Sequence, residues 1–441
     1  MPKTAAHVVR RRGRRDANGA FGLGTTTPNY AWDFVNNKAR FNNINYGALA
    51  NTPGWSFTRA STGYAQTSAG ALTSFASGEL RRTDKGVLIE GARTNLCLQS
   101  QTFDNASWTK SRATVTADAA VAPDGTTTAD KLVEDSSATT THRTQQGVTK
   151  AASAIQYTAS VYVKAAERTF AQLTLTDATE DDGAQVFINL SDGTLSTPAA
   201  RVGAGGGFTS ISATTATLAN GWYRVSLTAT TDSDTTVRLW VHTATSLSNN
   251  SYTGDGTSGI YLWGAQLEAA SFPSSYIPTT TASATRAADV LTVPVSGLDY
   301  PLSLFAETDL VTLAGGSVSQ SYFEIDDSSG NNRALLYGTN GGSQASRMYC
   351  ATANVNQALP TVGALTTGVR KTAGRCSLNS FQVAGNGTLA TEDTSGTVPA
   401  TPNRLVFGKE SGTGTELFGY LRRAAIFSRA LTDAELQSVT T

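Results

Sequence analysis

Between residues 97 and 280 apolar and polar positions alternate with a period of two. Val161 and Val163 alternate with Tyr162 and Lys164, Leu173 and Leu175 with Thr174 and Thr176, and Val237, Leu239 and Val241 with Arg238 and Trp240. Successive side chains of a strand point to opposite faces, so the pattern predicts half-buried strands. Asp124-Gly125, Asp192-Gly193, Asn220-Gly221 and Asp255-Gly256 stand between these runs, and such pairs adopt the backbone geometry that tight reversals need. Many short strands with this punctuation indicate an antiparallel sandwich or jelly roll.

A stretch rich in Pro, Thr, Ser and Ala from Pro273 through Pro278 to Thr285 reads as a short extended linker. A second strand-rich region follows. Phe323 and Ile325 alternate there with Glu324 and Asp326, and apolar runs recur at Leu335 to Tyr337, Leu405 to Phe407 and Ala425 to Phe427. One helix is predicted at the end, where Thr432 and Glu435 have capping-box spacing. The expected architecture is all-β: tandem antiparallel β-sandwiches of jelly-roll type behind an extended N-terminal arm, with a short C-terminal helix. The domain reading is residues 1–55 as a basic anchoring segment, 56–96 as a connection, 97–280 as the first sandwich and 281–441 as the second. Residues 1–55 hold Tyr30, Trp32, Phe34, Phe41 and Tyr46 but few aliphatic side chains, so this segment is expected to order only against a partner or its own oligomer.

Composition fits this picture. The chain has 441 residues, enough for two or three cores, and only 15% are charged. A formal net charge of +0 excludes a global field that would draw it to nucleic acid or an acidic membrane. The local exception is the cluster Arg10, Arg11, Arg12, Arg14 and Arg15. Contact with nucleic-acid phosphates, docking on an acidic protein partner, and plain solvation each account for such an arm. Cys97, Cys350 and Cys376 are an odd number without metal spacing and read as reduced structural thiols. The basic N-terminus lacks the apolar stretch of a signal peptide, and no run approaches the ~20 apolar residues of a membrane span. Synthesis in the cytoplasm and release by a route other than secretion are expected, without membrane insertion.

Three strings carry a family resemblance: Trp55 to Thr62, Gly86 to Leu96, and Tyr261 to Glu268 with Ser275 to Pro278. They resemble phage head-spike and tail-fibre proteins and the spikes of gene transfer agents, where such strings frame a carbohydrate-binding-module-like jelly roll. The second is the most specific. Its Glu90, Arg93 and Asn95 do not fit an apolar face, so a structural ion pair or an inter-subunit contact is expected of them. Residues Leu417 to Leu436 look like the last strand and helix of laminin-G or concanavalin-A-like domains. The resemblance implies a virion protein attached through its N-terminus to capsid or tail proteins, oligomeric and of trimeric type, that binds host capsular polysaccharide or another surface glycan. A structural capsid-decoration protein and a capsule depolymerase are the alternatives.

Sugars pack on aromatic rings while Asn, Asp and Arg take hydroxyls. Trp222 and Trp263 fall within strand patterns and read as core. Trp240 shares the polar face with Arg238 and is the surface candidate, and Asn250, Tyr252 and Asp255 form a candidate binding loop that reads equally well as a plain hairpin loop. Glu180, Asp181 and Asp182 are a candidate calcium site with hard oxygen ligands, calcium being the one cofactor the sequence suggests, or else a solvated acidic turn. Glu324 and Asp326 match the first two carboxylates of a Glu-x-Asp-x-Glu hydrolase strand, but Ser328 stands where the third would be. The reading is therefore of a binding protein with no catalytic residues.

Overall fold

A computed structural model of the chain describes residues 21, 23, 26–203, 207–313, 319–339, 344–411 and 415–441. Arg10, Arg11, Arg12, Arg14 and Arg15 lie outside the described residues. Regular structure is almost entirely antiparallel β, in two sandwiches, with one short helix at the C-terminus.

The first sandwich packs two six-stranded sheets. Its front sheet runs in the order Thr109–Ser111, Arg143–Thr149, Thr236–Ala244, Phe170–Thr176, Gly183–Asn189, Ala199–Arg201. Its back sheet runs Ala113–Ala120, Ala129–Glu134, Gly259–Glu268, Gln156–Ala165, Trp222–Thr230, Thr209–Thr217. Val161, Val163, Leu173, Leu175, Val237, Leu239 and Val241 all point into the interior between the sheets. Each such side chain contributes roughly 1.5–3 kcal/mol relative to exposure, which holds the register of both sheets.

The outer face of the back sheet is also covered. Tyr162, Trp222, Trp263 and Tyr276 pack there with Tyr64 and Leu72, which come from the hairpin Gly63–Gln66 and Leu72–Phe75. Trp222 and Trp263 are thus core residues, and their indole N–H groups donate to Val121 O at 3.1 Å and Thr128 Oγ1 at 3.0 Å.

The second sandwich recruits the N-terminal segment. Tyr30–Asp33 pairs with Gly419–Phe427, Gly86–Ile89 pairs with the same strand, and Ser56–Thr58 pairs with Val290–Pro294. Trp32 and Phe34 are fully buried against Phe407, with ring centroids at 5.0 and 5.7 Å. This corrects the expectation that the segment orders only against a partner. Its aromatic rings supply the apolar area that its few aliphatic residues lack, and its strand partner lies at the far end of the chain. The first sandwich is therefore inserted between strands of the second. Its entry and exit lie side by side, since Arg93–Asn95 pairs with Ala284–Arg286.

The three strings of the resemblance meet at this neck. Arg59 comes from the first, Glu90 from the second and Ser275 from the third, and they join Arg81, Arg286 and Asp289 in one buried ionic network. Arg81 donates to Glu90 at 2.6 Å and to Asp289, Arg59 donates to Asp289 at 3.2 Å, and Arg286 lies 3.5 Å from Glu90. Ser275 Oγ donates to Glu90 Oε2 at 2.6 Å. Arg93 stacks over Phe418 and Phe272, at 4.7 and 5.1 Å from their centroids. Asn95 accepts from Cys97 N and Leu267 N and donates to Ala265 O and Ile277 O. The ion pair expected of the second string is present, and Ser275 ties it to the inserted sandwich through Glu90 and Arg81.

The helix Asp433–Thr440 begins with the expected capping box: Thr432 Oγ1 accepts from Glu435 N, and Glu435 accepts from Thr432 N. Leu436 and Val439 anchor it on Phe305 and Phe427.

All three cysteines are free and fully buried, with Cys350 Sγ 2.9 Å from Cys376 Sγ. Burial pushes the thiols of Cys97 and Cys350 above their ordinary range, so little thiolate is available to react. An Ellman titration of the native chain is expected to detect no rapidly reacting thiol and to detect three after denaturation. A count of one after denaturation would mean that Cys350 and Cys376 are bonded.

Candidate functional site

The outer face of the front sheet combines an indole, an imidazole, three guanidinium groups and several amides. Register places them. Trp240 lies opposite Gln145 and Thr174, and His242 opposite Arg143 and Gln172. Since Val237, Leu239 and Val241 face the core, Arg238, Trp240 and His242 must face outward.

Outward does not mean exposed here. Trp240 is only 2% exposed, which corrects its expected surface position. The Arg143 guanidinium lies 3.9 Å from its ring centroid and that of Arg201 at 5.1 Å, so an arginine layer covers the indole. Long side chains with charged tips cover flat apolar surface in this way. Glu180 ties the layer together. It lies 3.0 Å from Arg143 and 2.5 Å from Arg238, its Oε1 accepts from Gln145 at 3.4 Å, and its backbone carbonyl accepts from Arg201 at 3.1 Å.

Beneath this layer lie polar atoms that have no hydrogen-bond partner among the described residues: Trp240 Nε1, both ring nitrogens of His242, Thr174 Oγ1 and Thr176 Oγ1. Unpaired buried groups cost about 1–3 kcal/mol each, and their concentration on one face marks it as the candidate recognition surface. Burial, with Arg143 and Arg201 nearby, pushes His242 well below its ordinary range. The imidazole is neutral at physiological pH, and three guanidiniums face one carboxylate. An open groove of about 740 Å³ continues along the same face past Gln145, Gly147 and Arg238.

The other expected site residues separate into three places. Asn250 reaches this face, donating from Nδ2 to Gln172 Oε1. Tyr252 and Asp255 belong to a structural cluster elsewhere. Tyr252 Oη donates to Glu134 at 2.6 Å, Arg168 donates to the same carboxylate, and Asp255 accepts from Thr257 N and Ser258 N. The acidic run also divides: Glu180 pairs with arginines, Asp181 is exposed, and only Asp182 turns inward. The three do not form the expected calcium site.

Glu324 and Asp326 lie side by side on the second sandwich, both 0% exposed. Burial and the hydrogen bond to Asp326 push Glu324 from 4.5 up to about 8. Burial raises Asp326 too, but hydrogen bonds from Arg404, Glu324 and Ser411 outweigh it and hold Asp326 below its ordinary value. Arg404 and Ser411 donate to Asp326 and help close the pair off. A proton held more tightly by the folded chain stabilises it fully below about pH 4.5, and that stabilisation is lost as pH rises through about 8. Melting temperature is expected to fall between pH 5 and 9, and Glu324→Gln, which keeps the neutral form, to flatten that fall. Parallel curves for the two chains would refute the protonated state.

No protein-family model matches the sequence, and no curated protein matches it. Among solved structures, the Ruminococcus gnavus IT-sialidase CBM40 is similar at 16% identity and a TM-score of 0.27, over 32% of this chain and 83% of that one. The SAP-like pentraxin of Limulus polyphemus is similar at 13% identity and a TM-score of 0.26, over 32% and 70%. Domains LG4-5 of the mouse laminin alpha1 chain are similar at 10% identity and a TM-score of 0.23, over 67% and 90%.

Proposed function

We propose that this chain is a fibre or spike protein of a bacteriophage or phage-like particle, and that the front sheet of its first sandwich binds an acidic host surface polysaccharide. The observation that carries the binding role is the Trp240 face, where unpaired buried polar atoms lie under three arginines and a single glutamate. A saccharide carboxylate can take the position of the Glu180 carboxylate between Arg143 and Arg238, and a sugar ring can replace Arg143 on the indole. Glu180 is then an internal stand-in for the ligand. The virion context rests on the three strings, which form the joint between the sandwiches.

In this reading the N-terminal arginines anchor the chain to capsid or tail proteins, and a homotrimer displays several weak sites whose linkage raises avidity by roughly 10²–10⁴. Binding rather than hydrolysis fits the second sandwich, where Glu324 and Asp326 are closed to solvent. The deciding experiment is calorimetric titration of the full chain with purified acidic and neutral capsular polysaccharides. Acidic polymers are expected to bind at least tenfold more tightly, with affinity falling as salt rises. Binding to none of them by a folded chain would sink the proposal.

A further inference from the structure

The loop that carries Glu180 is closed by two aspartates. Phe170–Thr176 leaves the front sheet into Asp177, and Asp182 precedes Gly183–Asn189. Asp177 N donates to the Asp182 carbonyl at 3.1 Å. Asp232 arrives from a separate connection, after Trp222–Thr230. One carboxylate oxygen from each of Asp177, Asp182 and Asp232 lies within 4.8 Å of the other two.

Two further observations point to a ligand. Asp177 and Asp182 are 5% and 2% exposed, and Asp177 Oδ1 is buried with no hydrogen-bond partner among the described residues. Among the described residues, none of the three aspartates takes part in an ion pair. Lys150 is near, but its Nζ donates to the carbonyls of Ala151, Ser153 and Asp232 rather than to a carboxylate. The remaining contacts are neutral: Thr179 Oγ1 donates to Asp177 Oδ2 at 2.5 Å, Gly203 N donates to Asp182 Oδ1, and Asp234 N donates to Asp232 Oδ1 at 2.9 Å. Asp234, two residues on from Asp232, is occupied by Ala178 N and Thr235 N.

Converging carboxylates repel one another, and burying them without a countercharge costs several kcal/mol each. A hard divalent cation removes both penalties. With oxygen ligands alone, nitrogen- and sulfur-seeking metals are disfavoured. Ligands drawn from two separate loops suit the irregular six- to eight-oxygen shell of calcium better than the near-ideal octahedron magnesium demands. We propose that Asp177, Asp182 and Asp232 bind a calcium ion that fixes the 177–182 loop and thereby holds Glu180 over the Trp240 face. The cation site stands independently of the saccharide reading; only the meaning of the latch rests on it.

The test uses the full chain freed of metal with EDTA and titrated with calcium chloride alone. Calorimetry is expected to show one site, saturating calcium to raise the melting temperature by at least about 3 °C, and amide exchange at residues 178–181 to slow at least tenfold. Asp232→Asn, at the half-buried member of the trio, should weaken calcium at least tenfold while leaving the metal-free melting temperature unchanged or higher. Absence of both heat and thermal shift in the wild-type chain overturns the site, as does undiminished calcium binding by Asp232→Asn. Equal affinity for magnesium overturns the choice of calcium, and binding without protection of residues 178–181 overturns the latch. None of these readouts involves a saccharide, so failure of polysaccharide binding leaves them intact.

Discussion

Replacing Glu90 by alanine is expected to destabilise the chain by about 3–5 kcal/mol, because it strands buried arginines. Arg59, Arg81 and Arg286 share Glu90 and Asp289, and all five side chains are at most 6% exposed. Without Glu90, three guanidiniums face one carboxylate, and Ser275 loses the acceptor for both its N–H and its hydroxyl. The same network makes an acid prediction. Burial opposes ionisation of Glu90, but Arg286, Arg81 and Ser275 outweigh it and hold its pKa well below the ordinary carboxylate range. A depressed folded pKa gives stability that is fully present above about pH 4.5 and lost as pH falls through the folded value. Urea unfolding at pH 7 and pH 3 checks both statements: Glu90→Ala should be far weaker than wild type at pH 7, and the gap should narrow at pH 3. A loss below about 1 kcal/mol at pH 7 would remove the network from its role as the joint between sandwiches.

The second large effect concerns the front sheet and has two signs. Arg143→Gln is expected to weaken acidic polysaccharide at least tenfold, since it removes a charge-assisted donor beside the indole. Glu180→Gln is expected to strengthen it severalfold, because the internal competitor for Arg143 and Arg238 loses its charge. Both positions are part-exposed, so melting temperatures should stay close to wild type while calorimetric affinities diverge. If both substitutions weaken binding equally, Glu180 contacts the saccharide directly instead of occupying its place.

The sandwiches were legible in the sequence because alternation is local: Val237, Leu239 and Val241 declare their common face within five residues. The same alternation placed Arg238 and Trp240 together on the opposite face. It could not show what covers Trp240, since Arg143 and Arg201 come from other strands of the sheet, and Glu180 from the connection between two of them. The N-terminal strand Tyr30–Asp33 was hidden for a related reason. Its partner Gly419–Phe427 lies at the other end of the chain, and non-local pairing leaves no mark on a short window of sequence. The acidic run from Glu180 to Asp182 attracted notice because it is contiguous, yet a cation needs ligands that converge. Asp177, at the end of the Leu173–Leu175 alternation, and Asp232, in the turn after Thr231, were the available signals. Joining them required knowing that both ends of the loop return to one place. Glu90 was the reverse case: its departure from an apolar pattern correctly marked a buried ion pair.

The insertion of one sandwich within the other sets an order of events at the ribosome. Tyr30–Asp33 emerges first but cannot complete its sheet until Gly419–Phe427 has been made, a wait of roughly tens of seconds at ordinary elongation rates. The inserted sandwich is complete well before then. Once folded, its adjacent entry and exit strands bring residues 93–95 beside 284–286 and so shorten the effective loop separating the two halves of the outer sandwich, lowering the entropy of closing it. The inserted module is thus also the template on which the rest of the nascent polypeptide closes.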